Sequence, residues 1–125
     1  MGQSSSGRSL AHYTKLMPWI KLAAASELPT DTVIEVERNG ALYAVCNAGG
    51  EFRTLSGICP HNGGPLGQGS LLSGMVVCPW HMWEFDSATG ACLVDERRSI
   101  PVYSTKIENG HILADLPVKD QAEHA

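Results

Sequence analysis

At 125 residues the chain is the size of one domain, and a hydrophobic share of 43% is enough to build a core. The formal charge of −4 argues against a nucleic-acid partner, which would require a basic stripe. No stretch approaches the roughly 18 consecutive apolar residues of a membrane span, and no charged-then-apolar leader opens the chain, so a cytoplasmic setting with reduced thiols is expected.

In chain order, residues 1–17 are polar and poor in core formers, and an arm outside the fold is expected there. The WIKL stretch, Trp19 to Leu22, predicts a first short strand. The AAASEL stretch after it is the one candidate helical piece and is too short to be stable by itself. From Thr32 to Asn47 the chain folds back about Asn39-Gly40, a pair that tolerates positive φ and marks a tight hairpin. On the returning strand, alternation puts Leu42, Ala44 and Cys46 on one face and Tyr43 and Val45 on the other. Further turns are predicted at Gly49-Gly50, Ser73-Gly74, Ser87 to Gly90 and Asn109-Gly110. Ile107, Ile112 and Leu116 are core candidates of the last hairpin. Short strands punctuated by Gly, Asn and Pro describe a small all-β sandwich or barrel. Neither an internal repeat nor a second domain is visible.

Two stretches stand apart: CPHNGGPLGQG, beginning at Cys59, and CPWHMWEFDSATG, beginning at Cys78. The spacing is Cys59-x-His61, sixteen residues, then Cys78-x-x-His81. Thiolates and imidazoles in loops broken by Pro60, Gly63, Gly64, Pro65, Gly67, Gly69 and Pro79 point to a metal. A single zinc ion needs four ligands about one point, and the order of Cys and His along the chain then matters little. A two-iron cluster has two ends, so two loops reaching across it each need one Cys and one His. Two cysteines on one iron and two histidines on the other form the ligand set of a Rieske [2Fe-2S] centre.

On these two boxes the chain resembles the Rieske family, over roughly Trp19 to Leu116. The resemblance implies three stacked antiparallel sheets with the cluster loops at one tip, in a domain spanning 18–117, followed by a C-terminal tail over 118–125. It implies that Cys59 and Cys78 hold the inner iron of one [2Fe-2S] cluster, and that His61 and His81 hold the outer iron. Met82 departs from the family, whose members often carry glycine just after the second histidine. Two ferric ions, two sulfides and two thiolates sum to zero charge, against a dianion for a four-cysteine cluster, so this site accepts an electron more readily. Histidine ligation also couples the potential to pH, because oxidation makes the outer imidazole N–H groups more acidic. High-potential members carry an extra cysteine in each box and a serine that donates to a sulfide. The matching positions here are Gly64, Trp80 and Trp83, none with a hydroxyl, which places the potential at the low end, about −150 mV.

Other residues receive plainer readings. Cys46 and Cys92 fall on predicted strands away from the boxes and read as buried core thiols, with a disulfide between them as the alternative. His12, His111 and His124 lack partner spacing and read as surface residues. Trp80, Met82, Trp83 and Phe85 are expected to cover and floor the cluster loops, with plain core packing an equal reading for Trp83 and Phe85, and Pro65 and Leu66 are expected to cover the other side. The run from Asp95 to Arg98 reads as a solvated turn, with a docking patch as the functional alternative. The resemblance implies a soluble one-electron carrier rather than an enzyme. Its electron comes from a flavin-dependent reductase and goes to a terminal oxygenase through weak, transient contacts. The boxes are also similar to the small subunit of NADH-dependent nitrite reductase, and a redox-sensing iron–sulfur protein is a third reading.

Overall fold

The computed structural model describes residues 19–117. The predicted arm over 1–17, the tail over 118–125, His12 and His124 lie outside the described residues.

The alternation around Asn39-Gly40 builds the centre of the molecule. Strands β2 (Thr32–Arg38) and β3 (Ala41–Ala48) pair antiparallel with Glu35 opposite Ala44. Asn39 and Gly40 take φ of 54° and 80°, the left-handed turn their side chains allow. β4 (Glu51–Ser56) follows on the other side of β3. With β8 (Val102–Tyr103) these strands form a four-stranded sheet ordered β2-β3-β4-β8. β1 (Trp19–Ala24), β10 (His111–Asp115) and β9 (Thr105–Glu108) form a second sheet, ordered β1-β10-β9. The third comprises β5 (Ser70–Leu72), β6 (Met75–Val77) and β7 (Glu84–Asp86) in sequence order. All recorded pairings are antiparallel, so the all-β architecture expected from the sequence is the one observed.

Period-two alternation along β3 divides the interior. Tyr43 and Val45 face a core with Leu22, Leu28, Val36, Ile112, Ala114 and Leu116. Ala44 and Cys46 face the opposite core, with Leu55, Leu71, Val76 and Phe85. The four-stranded sheet is therefore the middle layer, with β1-β10-β9 on one face and β5-β6-β7 on the other. The second core also contains Cys59, Cys78 and Leu66, so both boxed cysteines belong to the packed interior. Among the described residues no helix is long and apolar enough to cross a membrane.

Three local expectations need correction. AAASEL is not helical: its start completes β1, and Ala25–Glu27 is a single 3-10 turn. Ile107 is 45% exposed, although it lies opposite the fully buried Ile112. It sits on the edge strand of its sheet. Cys92 is buried as predicted, but on an isolated bridge to Phe85 rather than on a strand.

Candidate metal centre

The two boxes fold into loops with the same backbone hydrogen bonding. In the first, the N–H of Cys59 donates to the Gly64 carbonyl at 2.9 Å, and the N–H of Gly63 donates to the Cys59 carbonyl at 2.7 Å. In the second, the N–H of Cys78 donates to the Trp83 carbonyl at 2.8 Å, and that of Met82 to the Cys78 carbonyl at 2.9 Å. Each loop thus leaves its cysteine, makes a tight turn and returns four to five residues later. The fourth residue after each cysteine must be left-handed: Gly63 has φ of 82° and Met82 has φ of 63°. That geometry favours glycine, which explains why a glycine is common after the second histidine and why Met82 is a departure.

The loops converge. A Cβ built on Gly64 would lie 2.7 Å from Cys78 Sγ and 3.2 Å from the Trp80 ring. Only hydrogen fits there, so the first loop lies directly against the sulfur of the second. Cys59 and Cys78 are 1% and 0% exposed, whereas His61 and His81 are both exposed. The imidazoles meet edge to face, with ring centroids 5.1 Å apart and planes 67° from parallel. Burial pushes the Cys59 thiol above its ordinary range, and the neighbouring Cys78 thiol adds to this; the N–H groups of His61 and Asn62, aimed at its sulfur, pull the other way.

Neighbouring groups fix the histidines. The Trp83 ring stacks on His61 with centroids 4.1 Å apart and planes 4° from parallel. The Asn62 side-chain amide meets Nδ1 of His81, and its Oδ1 accepts from the Gly64 N–H at 3.2 Å. Beneath the loops, Leu66 and Phe85 are fully buried. Phe85 packs in the core that also holds both boxed cysteines, which fits both of its readings, whereas Trp80 and Met82 project outward with 57% and 62% of their surface exposed. Pro65 closes the first loop through a bridge to Ile58.

Two contributing residues escape a reading of the sequence. Asn62 sits inside the first box, where Asx side chains commonly bond nearby backbone, so a signal was present. Arg98 donates from Nη1 to the Pro60 carbonyl at 3.0 Å, across 38 residues of sequence that carry no hint of the contact. It belongs to the 3-10 turn Glu96–Arg98, which Asp95 caps by accepting from the Arg97 N–H at 3.1 Å. The hydrogen-bonded Arg97 guanidinium holds the Asp95 carboxyl below the usual carboxylate range. Cys46 lies on β3 in the core that also holds Cys59 and Cys78; burial raises its thiol, and Ser87 and Arg53 oppose the rise. His111 lies on β10, in the sheet across the molecule from β5-β6-β7.

The donor set fits a two-ended group. Among the described residues no three His, Cys, Asp or Glu side chains gather about one point where a single ion would sit. Instead two buried cysteines and two exposed histidines are carried by two converging loops. Burial disfavours the Cys59 thiolate, and a bound metal cation would supply the charge that stabilises it.

Comparison with known proteins agrees. Residues 18–104 match the family described as the Rieske [2Fe-2S] domain. Over 99 residues the chain is 30% identical to the ferredoxin component of the naphthalene 1,2-dioxygenase/salicylate 5-hydroxylase systems of a Ralstonia species, covering 78% of this chain and 95% of that one. Among solved structures it is similar to a chain in the complex of reduced oxygenase and oxidized ferredoxin in carbazole 1,9a-dioxygenase. That match has a TM-score of 0.71 and 27% identity, covering 78% of this chain and 92% of the other. A structure described as an NADH-dependent nitrite reductase small subunit from Mycobacterium tuberculosis also matches, with TM-score 0.71 and 24% identity over 78% of this chain and 94% of that one; it shows a shared fold. With the paired loops, the buried cysteines and the adjoining histidines already in place, the chain belongs to the Rieske [2Fe-2S] family and carries one Rieske-type cluster.

Proposed function

We propose that Cys59 and Cys78 hold the inner iron and His61 and His81 the outer iron of that cluster, within a domain spanning 18–117. The chain then acts as a cytoplasmic one-electron carrier to a terminal oxygenase. The observation that carries this reading is the division of the four side chains: both sulfurs are buried and both imidazoles face out. When bound, the cluster supplies reversible one-electron transfer. Leu66 and Phe85 exclude water from beneath the cysteines, and Gly64 leaves room for the Cys78 sulfur. Trp83 holds the His61 ring in one plane through its stack. The exposed edges of His61 and His81 give a partner its shortest approach to the metal. They are flanked by Trp80 and Met82, apolar side chains suited to brief contact.

The ferredoxin-component relative supports the oxygenase as acceptor, and we assign the donor to a flavin-dependent reductase with which contact is weak and transient. Gly64, Trp80 and Trp83 offer no hydroxyl to a sulfide, which keeps the potential near the low end of the Rieske range, about −150 mV. A reductive titration with a flavoprotein reductase and NAD(P)H tests the reading. One electron taken up per two irons, and passed on to an added oxygenase, is the predicted result. A protein that binds iron but neither accepts nor donates an electron contradicts it.

A further inference from the structure

The apex of the first loop, Pro60 to Gly63, is tied to the rest of the molecule by few side chains. Its base is closed by its own backbone bonds and by the Leu66 N–H donating to the Gly57 carbonyl at 3.0 Å. Across the gap, Asn62 meets His81. On the outer side the tie is Arg98, whose Nη1 donates to the Pro60 carbonyl at 3.0 Å. That carbonyl belongs to the short backbone link between the sulfur of Cys59 and the imidazole of His61.

Arg98 is aimed by its own turn. Its N–H donates to the Asp95 carbonyl at 2.8 Å, which fixes the start of the side chain. Asp95 divides its carboxylate unequally: Arg97 takes Oδ1 at 3.1 Å and Oδ2 at 3.3 Å, while Arg98 Nε stands 3.6 Å from Oδ2. Arg97 is therefore the partner that neutralises Asp95, and its side chain is 86% exposed. Arg98 is left with more of its charge directed at the loop. The run that reads in sequence as a solvated turn thus places one cation against the cluster loop and another in solvent.

We infer that Arg98 is a positioning residue for the first cluster loop and that its charge raises the reduction potential of the site. This rests on the cluster assignment proposed above. The physical basis is simple: adding an electron near a fixed positive charge is favourable, more so where protein replaces water. The Arg98 side chain is 45% exposed, so salt and solvent screen the effect and it should be modest. The guanidinium also restrains the loop through a charge-assisted hydrogen bond, a role an ammonium fills less well.

The test uses the full chain with its cluster, comparing Arg98→Met, Arg98→Gln and Arg98→Lys. In low salt, Arg98→Met and Arg98→Gln should lower the equilibrium constant for one-electron reduction roughly threefold, about 28 mV at 59 mV per tenfold change. Arg98→Lys should retain most of the wild-type potential, and high salt should shrink the differences. Arg98→Met should also lose its visible absorbance several times faster under a chelator. Unchanged potentials in Arg98→Met and Arg98→Gln would overturn the electrostatic role, as would an equal drop in Arg98→Lys. Unchanged bleaching in Arg98→Met would overturn the positioning role. A wild-type chain with no cluster spectrum would instead remove the underlying assignment.

Discussion

The two cluster loops share a backbone but not a task. Both return through bonds at the fourth and fifth residues after a cysteine. In the first, those residues are Gly63 and Gly64; in the second they are Met82 and Trp83. The glycines of the first loop make space: Gly64 leaves room for the Cys78 sulfur. The second loop supplies cover: Trp83 stacks on His61, and Met82 projects outward beside the histidines. Equal backbones with unequal side chains teach that one turn can either make space or supply cover, with side-chain size deciding which.

The largest effect that would sharpen this comparison comes from removing a sulfur. Cys59→Ala or Cys78→Ala should abolish the visible spectrum, because on the proposed ligand set either change leaves one iron with a single protein ligand. Gly64→Ala comes next. Its added Cβ would stand 2.7 Å from Cys78 Sγ, so iron content measured by colorimetric assay should fall severalfold, whereas Trp83→Ala should retain iron. Equal losses in the two would erase the distinction between the spacing loop and the covering loop.

Smaller effects concern the fold around the loops. Met82→Gly relieves a left-handed residue and should raise stability by about 1 kcal/mol in thermal melts; a loss of stability would show that the Met82 side chain packs usefully. Alkaline pH should act on the half of the molecule away from the loops. Burial raises the Tyr43 phenol above its ordinary value, with Tyr103 adding to the rise, and burial raises Tyr103 too. A raised folded value means that the folded state holds its proton longer. Their contribution is therefore complete below about pH 10 and is lost as pH climbs through the raised values. Tyr43→Phe should flatten that alkaline fall in the melting temperature. His111→Ala, at the small end, should leave the colour unchanged and alter stability by no more than about 0.5 kcal/mol.

Much of the frame is legible in the sequence because it follows from local rules. The alternation at Tyr43, Ala44, Val45 and Cys46 foretells the two cores that β3 separates. Asn39-Gly40 and Asn109-Gly110 each take left-handed φ at both residues, as a tight hairpin demands. The boxed residues Cys59, His61, Cys78 and His81 were legible as a group because two loops with matching chemistry stand out from the strands. What escaped depends on position in space. Ile107 has the pattern of a core residue but lies on an edge strand. Cys92 reads as strand, yet it meets Phe85 through a lone bridge. Arg98 looks like part of a solvated run until the turn folds it over Pro60. Edge position and long-range contact leave no period in a sequence.

Iron and sulfide analysis combined with paramagnetic resonance of the one-electron-reduced protein tests the central claim most directly. The account predicts two irons and two sulfides per chain, a signal that appears on reduction, and magnetic coupling to two directly bound histidine nitrogens that is disturbed in His61→Ala and His81→Ala. A colourless zinc protein, or a reduced iron signal without nitrogen coupling, would contradict it.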